Sequence, residues 1–153
     1  MSAHAYTEDQ LVEQPAIGLF GALGWQTVSA IEETFGPGGM LGRETKSEVV
    51  LPDRLRATLC KFNPSLTPDA INNAIDQLAQ DRSAMSLEAA NREVYRLLKE
   101  GIMVSLPDHE HGGQRTERLR VVDWECPENN DFLLVSQFSV TGALYTCRPD
   151  LVG

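Results

Sequence analysis

Positive charge is scarce in this chain: 13 Lys and Arg stand against 22 Asp and Glu, for a formal charge of −9. This argues against a domain that grips nucleic acid through its bulk charge, because that binding comes from Lys and Arg neutralising phosphates. Any DNA contact must be local or shared with another module. Cysteine is sparse as well. Cys60, Cys126 and Cys147 are odd in number and far apart, so neither a disulfide framework nor a C-x-x-C metal knuckle can be drawn, and reduced, buried thiols are expected. The sequence has no apolar run of about 18 residues and no basic-then-apolar leader, which argues against membrane insertion and secretion and points to the cytoplasm. It also lacks a G-x-x-x-x-G-K-[ST] motif, so ATP binding through a P-loop is not expected of this stretch.

What is present is one domain's worth of chain, 153 residues at 42% hydrophobic, enough for a core. Thr7 is a candidate N-cap with Gln10 three residues on, and Leu11, Ala16, Ile17, Phe20 and Leu23 recur at roughly helical spacing until Gly24, with Pro15 marking a kink or restart. Trp25–Ser29 reads as a short strand, and Gly36-Pro37-Gly38-Gly39 as an irregular loop. A helical segment follows, from about residue 49 to Gly101. Leu51, Leu55, Leu59 and Phe62 are periodic up to Asn63-Pro64. Thr67-Pro68-Asp69 supplies a cap, a proline at the first helical position and an acid in the first turn, ahead of an inward stripe of Ile71, Ala74, Ile75 and Leu78. Ser86 caps a third helix whose Leu87, Val94, Leu97 and Leu98 are expected to face inward.

From Gly101 the texture becomes that of strands: Ile102–Leu106, an alternating Leu119–Trp124, and a long run Phe132–Val140. Thr141-Gly142-Ala143 then turns the chain back through Leu144, Tyr145 and Thr146 toward Arg148-Pro149-Asp150. The resulting fold class is mixed α/β, with a helical excursion between the first strand and the rest of the sheet. Asp150 becomes a carboxylate at the mouth of a strand, the placement a nuclease needs to fix a divalent metal against a phosphate.

The stretches Gly42-Arg43-Glu44 to Leu51, Arg54 to Pro64, Ala70 to Ile75, Asn91 to Leu98 and Asp123-Trp124-Glu125-Cys126-Pro127-Glu128-Asn129-Asn130-Asp131-Phe132 to Phe138, with the closing Arg148-Pro149-Asp150, carry a resemblance. Together they resemble the N-terminal nuclease region of the R (HsdR) subunit of type I restriction enzymes, from Tyr6 to Gly153. The resemblance implies a restriction-endonuclease-like fold of the PD-(D/E)xK class, in which Asp150 is a metal ligand and catalytic group for Mg²⁺. It further implies a carboxylate-x-lysine strand beyond Gly153, so that this stretch carries part of a single endonuclease domain and part of its site. Helicase-like domains that bind ATP are expected further on, with double-stranded DNA and the methyltransferase (M) and specificity (S) subunits as partners. Such a division of labour suits an acidic domain that need not read bases itself.

Glu13, in the first helix, is the candidate for a further catalytic and metal-proximal acid, since nucleases of this class often carry one there. Glu8 is the weaker substitute, about 140° away from it on an ideal helix. Arg118 and Arg120, on one face of a strand by period-two geometry, are candidate phosphate contacts, against the plainer reading of a solvated or salt-bridged face. His109-Glu110-His111 sits in a polar loop without a third ligand, and Gly36-x-Gly38-x-x-x-Gly42 misspaces the dinucleotide fingerprint; both read as loops. A competing function is a noncatalytic module in which the helical segment docks the methyltransferase or the translocase.

Overall fold

The computed structural model describes residues 7–153; Tyr6, where the resemblance begins, lies outside the described residues. The chain forms two compact units, one running up to Val49 and resuming at Asp131–Gly153, the other Val50–Asn130.

In the first unit the Thr7 hydroxyl accepts a hydrogen bond from Gln10 N at 3.3 Å, so the expected cap is formed. A π-helical turn, Asp9–Glu13, then passes into helix α1, Gln14–Ala22. The changeover has a cause in the sequence. Pro15 has no N–H for the i→i−4 ladder, and just before it Gln14 N reaches back to Asp9 O in a widened turn that absorbs the break. Leu11 and Leu23, from the apolar set of this helix, are more than half exposed. Strand β1, Gln26–Ser29, runs parallel to β4, Leu133–Ser136, and β4 pairs antiparallel with β7, Leu151–Val152, to give a three-stranded sheet of order β1-β4-β7. Central β4 buries Leu134, Val135 and Ser136. Trp25 stacks on Phe132 at 4.9 Å and meets Phe20 edge-on at 4.8 Å.

The long strand expected over Phe132–Val140 is interrupted. Gln137 adopts φ +58°, a left-handed backbone that ends the strand after four residues. The run resumes as β5, Val140–Thr141, which pairs with β6, Thr146–Cys147, around the expected turn. Beneath this break lies Arg43, fully buried. Its guanidinium donates to both Glu33 carboxylate oxygens at 2.7 and 2.5 Å and to the carbonyls of Glu48 and Ser139, and it lies 4.0 Å from the Phe138 ring centroid.

The second unit contains α2 (Pro52–Phe62), α3 (Pro68–Ala79) and α4 (Leu87–Glu100), followed by an antiparallel pair, β2 (Ile102–Pro107) and β3 (Gln114–Leu119). Thr67 and Ser86 cap α3 and α4 through hydrogen bonds from Ala70 N and Ala89 N. Leu59, Ala70, Ile71, Ala74 and Ile75 join Ile102, Val104, Leu106, Leu119 and Val121 in one core. Leu97 and Leu98 pack against that core, whereas Leu87 is 87% exposed and does not face inward. Gly101 ends α4 at φ +87°, where a Cβ would come within 2.5 Å of Leu119 O.

The expectation of a strand over Leu119–Trp124 is corrected: the strand lies earlier and stops at Leu119. Past it, Asn63 fixes the chain by accepting from Arg120 N at 2.8 Å and donating to Arg120 O at 2.8 Å. A polar clasp follows. Buried Asp123 accepts from Cys126 N and the Asn129 amide, while Asn130 accepts from Asp123 N and donates to the carbonyls of Asp123 and Pro127. The Pro-Glu-Asn-Asn segment, with a 3-10 turn over Pro127–Asn129, is thus held by its two asparagine side chains and by Asp123. The thiols are also corrected: Cys60, Cys126 and Cys147 are free but exposed, because they fall on the outer side of α2, in the clasp loop and on a two-residue strand.

Candidate metal centre

Two of the residues singled out in the sequence are brought to one place. Glu13 sits at the end of the π-helical turn and Asp150 immediately before β7, and the side-chain amide of Gln137 lies between their carboxylates. Gln137 Nε2 is 3.1 Å from each Glu13 oxygen and 3.3 Å from Asp150 Oδ1. Gln137 N also donates to Asp150 O at 2.8 Å, which continues the β4–β7 pairing past the strand end. The left-handed φ of Gln137 costs about 1–3 kcal/mol in an L-residue other than glycine, and these hydrogen bonds over-determine it. Glu13 and Gln137 are half-buried and Asp150 is exposed.

A cavity of about 580 Å³ opens beside this triad, lined by Asp9, Glu13, Gln14, Thr27, Ser29 and Gln137 among others. Asp9, not Glu8, is the second helical acid at this cavity. The helical-wheel separation of Glu8 from Glu13 does not apply here, because the turn between them is π-helical rather than α-helical. Asp9 Oδ1 accepts from the Gln14 amide at 3.0 Å. Among the described residues no group of three His, Cys, Asp or Glu side chains gathers to hold a metal.

Arg118 and Arg120 do not share a strand face, since Arg118 pairs opposite Met103 in β3 and Arg120 lies beyond the strand end. Both nevertheless line one cavity of about 300 Å³, with Leu98, Val122 and the exposed Trp124. Arg118 Nη1 donates to Glu100 O; Arg120 is 3.7 Å from Asp123 Oδ1 and lies over the Phe62 ring. The Asn129 amide and Cys126 N–H hold the Asp123 carboxyl below its ordinary value. His109-Glu110-His111 forms a turn around Asp108, which accepts from Glu110 N and His111 N, and those bonds hold the Asp108 carboxyl low in the same way. No helix among the described residues is long and apolar enough to cross a membrane.

Sequence reasoning missed Gln137 and Asp9. Gln137 left one signal, a polar side chain inside an apolar run; Asp9 left none apart from its neighbours.

The chain matches the family model described as Type I restriction enzyme R protein N terminus (HSDR_N) over residues 5–153. It is 29% identical over 148 residues to the Type I restriction enzyme HindI endonuclease subunit of Haemophilus influenzae, an alignment covering 93% of this chain and 13% of that protein. No solved structure matches it. With nearly the whole chain matched, it belongs to the family of type I restriction enzyme R protein N-terminal regions.

Proposed function

We propose that this chain is part of the DNA-cleavage region of an ATP-dependent type I restriction endonuclease, a PD-(D/E)xK-class core in which Asp150 and Glu13 hold Mg²⁺. The observation that carries this reading is the convergence of the two carboxylates on the Gln137 amide, from which Glu13 lies 124 positions away in the chain and Asp150 13. The donor set suits the ion, because Mg²⁺ takes hard oxygen ligands, is commonly held through one or two carboxylates, and keeps water on the remaining positions. When bound, the ion polarises the phosphodiester and lowers the pKa of the attacking water. Asp150, exposed at the strand mouth, is the ligand that faces substrate, and Glu13 orients the site from the helical side. Arg118, whose described hydrogen bond goes to a backbone carbonyl rather than a carboxylate, keeps its charge available to a phosphate of double-stranded DNA; Arg120, partly offset by Asp123, contributes less. ATP-driven translocation and target recognition fall to helicase-like domains and to the M and S subunits.

In a full-length R subunit carrying this region, Asp150→Ala should abolish plasmid cleavage and leave ATP hydrolysis near the wild-type rate. Cleavage at a near wild-type rate by that variant refutes the assignment.

A second reading, that 50–130 is a docking module for the methyltransferase or translocase, is favoured by its compactness around a core of its own and by the exposure of Trp124 and Tyr95. Substituting both aromatics with Ser should then weaken co-assembly with the M subunit without reducing stability.

A further inference from the structure

We propose that Gln137 is a positioning residue for the divalent cation, its amide standing in for the ion between Glu13 and Asp150 until one binds; this rests on the shared-cation reading above. All the side-chain hydrogen bonds that Gln137 makes among the described residues go to these two carboxylates, at 3.1, 3.1 and 3.3 Å. The orientation of the amide follows from chemistry, since the reverse orientation would set its oxygen against three acceptor oxygens and leave them without a donor. Two carboxylates on separate elements repel each other at close range, and an N–H₂ group placed between them offers each a donor that offsets that repulsion.

The backbone serves the same end. With φ at +58° and its N–H bonded to Asp150 O, Gln137 leaves the line of β4, and its side-chain amide reaches both Asp150 and the helical acid Glu13. A standard strand residue at this position would alternate with the pleat instead. The terminal amide also carries a hard oxygen. Rotation about its last torsion turns Oε1 into the place that Nε2 vacates, so that the group which held the acids together becomes an oxygen donor once a cation takes over their neutralisation.

The test is a Mn²⁺ titration of the 153-residue chain, read by the electron paramagnetic resonance signal of free Mn²⁺, with thermal unfolding in chelator run in parallel. Gln137→Leu, which ends one bond short of the amide and loses both of its polar atoms, should weaken Mn²⁺ binding on the order of tenfold, the scale of loss on removing a group that supports a metal site. Gln137→Asn keeps the amide but shortens its reach, and should weaken binding similarly. Gln137→Glu restores an oxygen donor while crowding three carboxylates together; it should bind Mn²⁺ at least as tightly as wild type yet unfold at a lower temperature in chelator. A purely structural glutamine would not move affinity and stability in opposite directions. Unchanged affinity in Gln137→Leu, or tighter binding there, overturns the inference while Asp150→Ala still abolishes binding. Failure to detect any Mn²⁺ binding sensitive to Asp150→Ala overturns the shared-cation reading and the inference together.

Discussion

Arg43→Met exposes how the segment bearing Gln137 is held. The guanidinium is fully buried, and the Glu33 side chain it grips is 3% exposed. Methionine preserves much of the aliphatic stem while deleting a bidentate pair, two hydrogen bonds to the carbonyls of Glu48 and Ser139, and the contact with the Phe138 ring. Removing one member of a buried ion pair leaves the other charge uncompensated and costs about 3–5 kcal/mol. At about 2–4 °C per kcal/mol for a chain of this size, that becomes a fall in Tm of roughly 6–20 °C. Thermal unfolding followed by circular dichroism measures it. The double variant Glu33→Leu/Arg43→Met removes both charges and should recover most of the loss, since a buried pair replaced by apolar groups is often close to neutral. A Tm within 2 °C of wild type for Arg43→Met, roughly the effect of a single kcal/mol, would refute this account of the buried pair. So would a double variant no more stable than Arg43→Met.

Three further outcomes are expected. Asp123→Asn should destabilise at pH 7. Because the folded carboxyl lies below its ordinary 3.8, its contribution is complete above that value and is lost as pH falls through the folded one, so the Tm gap to wild type should close toward pH 3; a pH-independent gap contradicts the clasp. Gly101→Ala forces an L-residue to φ +87° with a Cβ 2.5 Å from Leu119 O, and should cost at least about 1–2 kcal/mol in denaturant unfolding, with a cost near zero refuting the close approach. In the full-length R subunit Glu13→Gln should lower the cleavage rate on the order of tenfold, Glu8→Gln should leave it unchanged and Asp9→Asn should fall between; a loss confined to Glu8→Gln would place the wrong acid at the site.

The helices of the second unit were legible because their ends are written in the sequence. Thr67-Pro68 and Ser86 are caps whose hydrogen bonds form as expected, and Gly101 stops α4. The strands were less legible. Gln114–Leu119 is polar at most positions, and its pairing with β2 supplies an order that no apolar alternation announces, whereas the alternating Leu119–Trp124 is held by Asn63 and the Asp123 clasp instead. The polar Gln137 inside an apolar run is a signal of composition only and does not by itself mark a left-handed backbone, so the break between β4 and β5 could not be read. At the candidate site, Asp150 and Glu13 were nameable one at a time, through the family resemblance rather than from a bare Pro-Asp pair or a helical acid. Their meeting through Gln137 depends on parallel pairing of β1 with β4 and antiparallel pairing of β4 with β7, contacts between distant stretches that local pattern does not encode. Arg43 lies within a stretch that carries the family resemblance but shows no role there, because burial of a charge between glycine and glutamate leaves no trace until Glu33 and Phe138 are placed around it.

Whether Glu13 and Asp150 share a divalent cation is most directly tested by crystals of a full-length R subunit carrying this region, soaked in Mn²⁺ and measured at the manganese absorption edge. An anomalous peak within about 2.0–2.3 Å of an Asp150 oxygen, on the side facing Glu13 and the Gln137 amide, is the predicted result, scaled from the short bonds of octahedral divalent ions. Ordered Mn²⁺ elsewhere in the subunit with no peak between these side chains would contradict it.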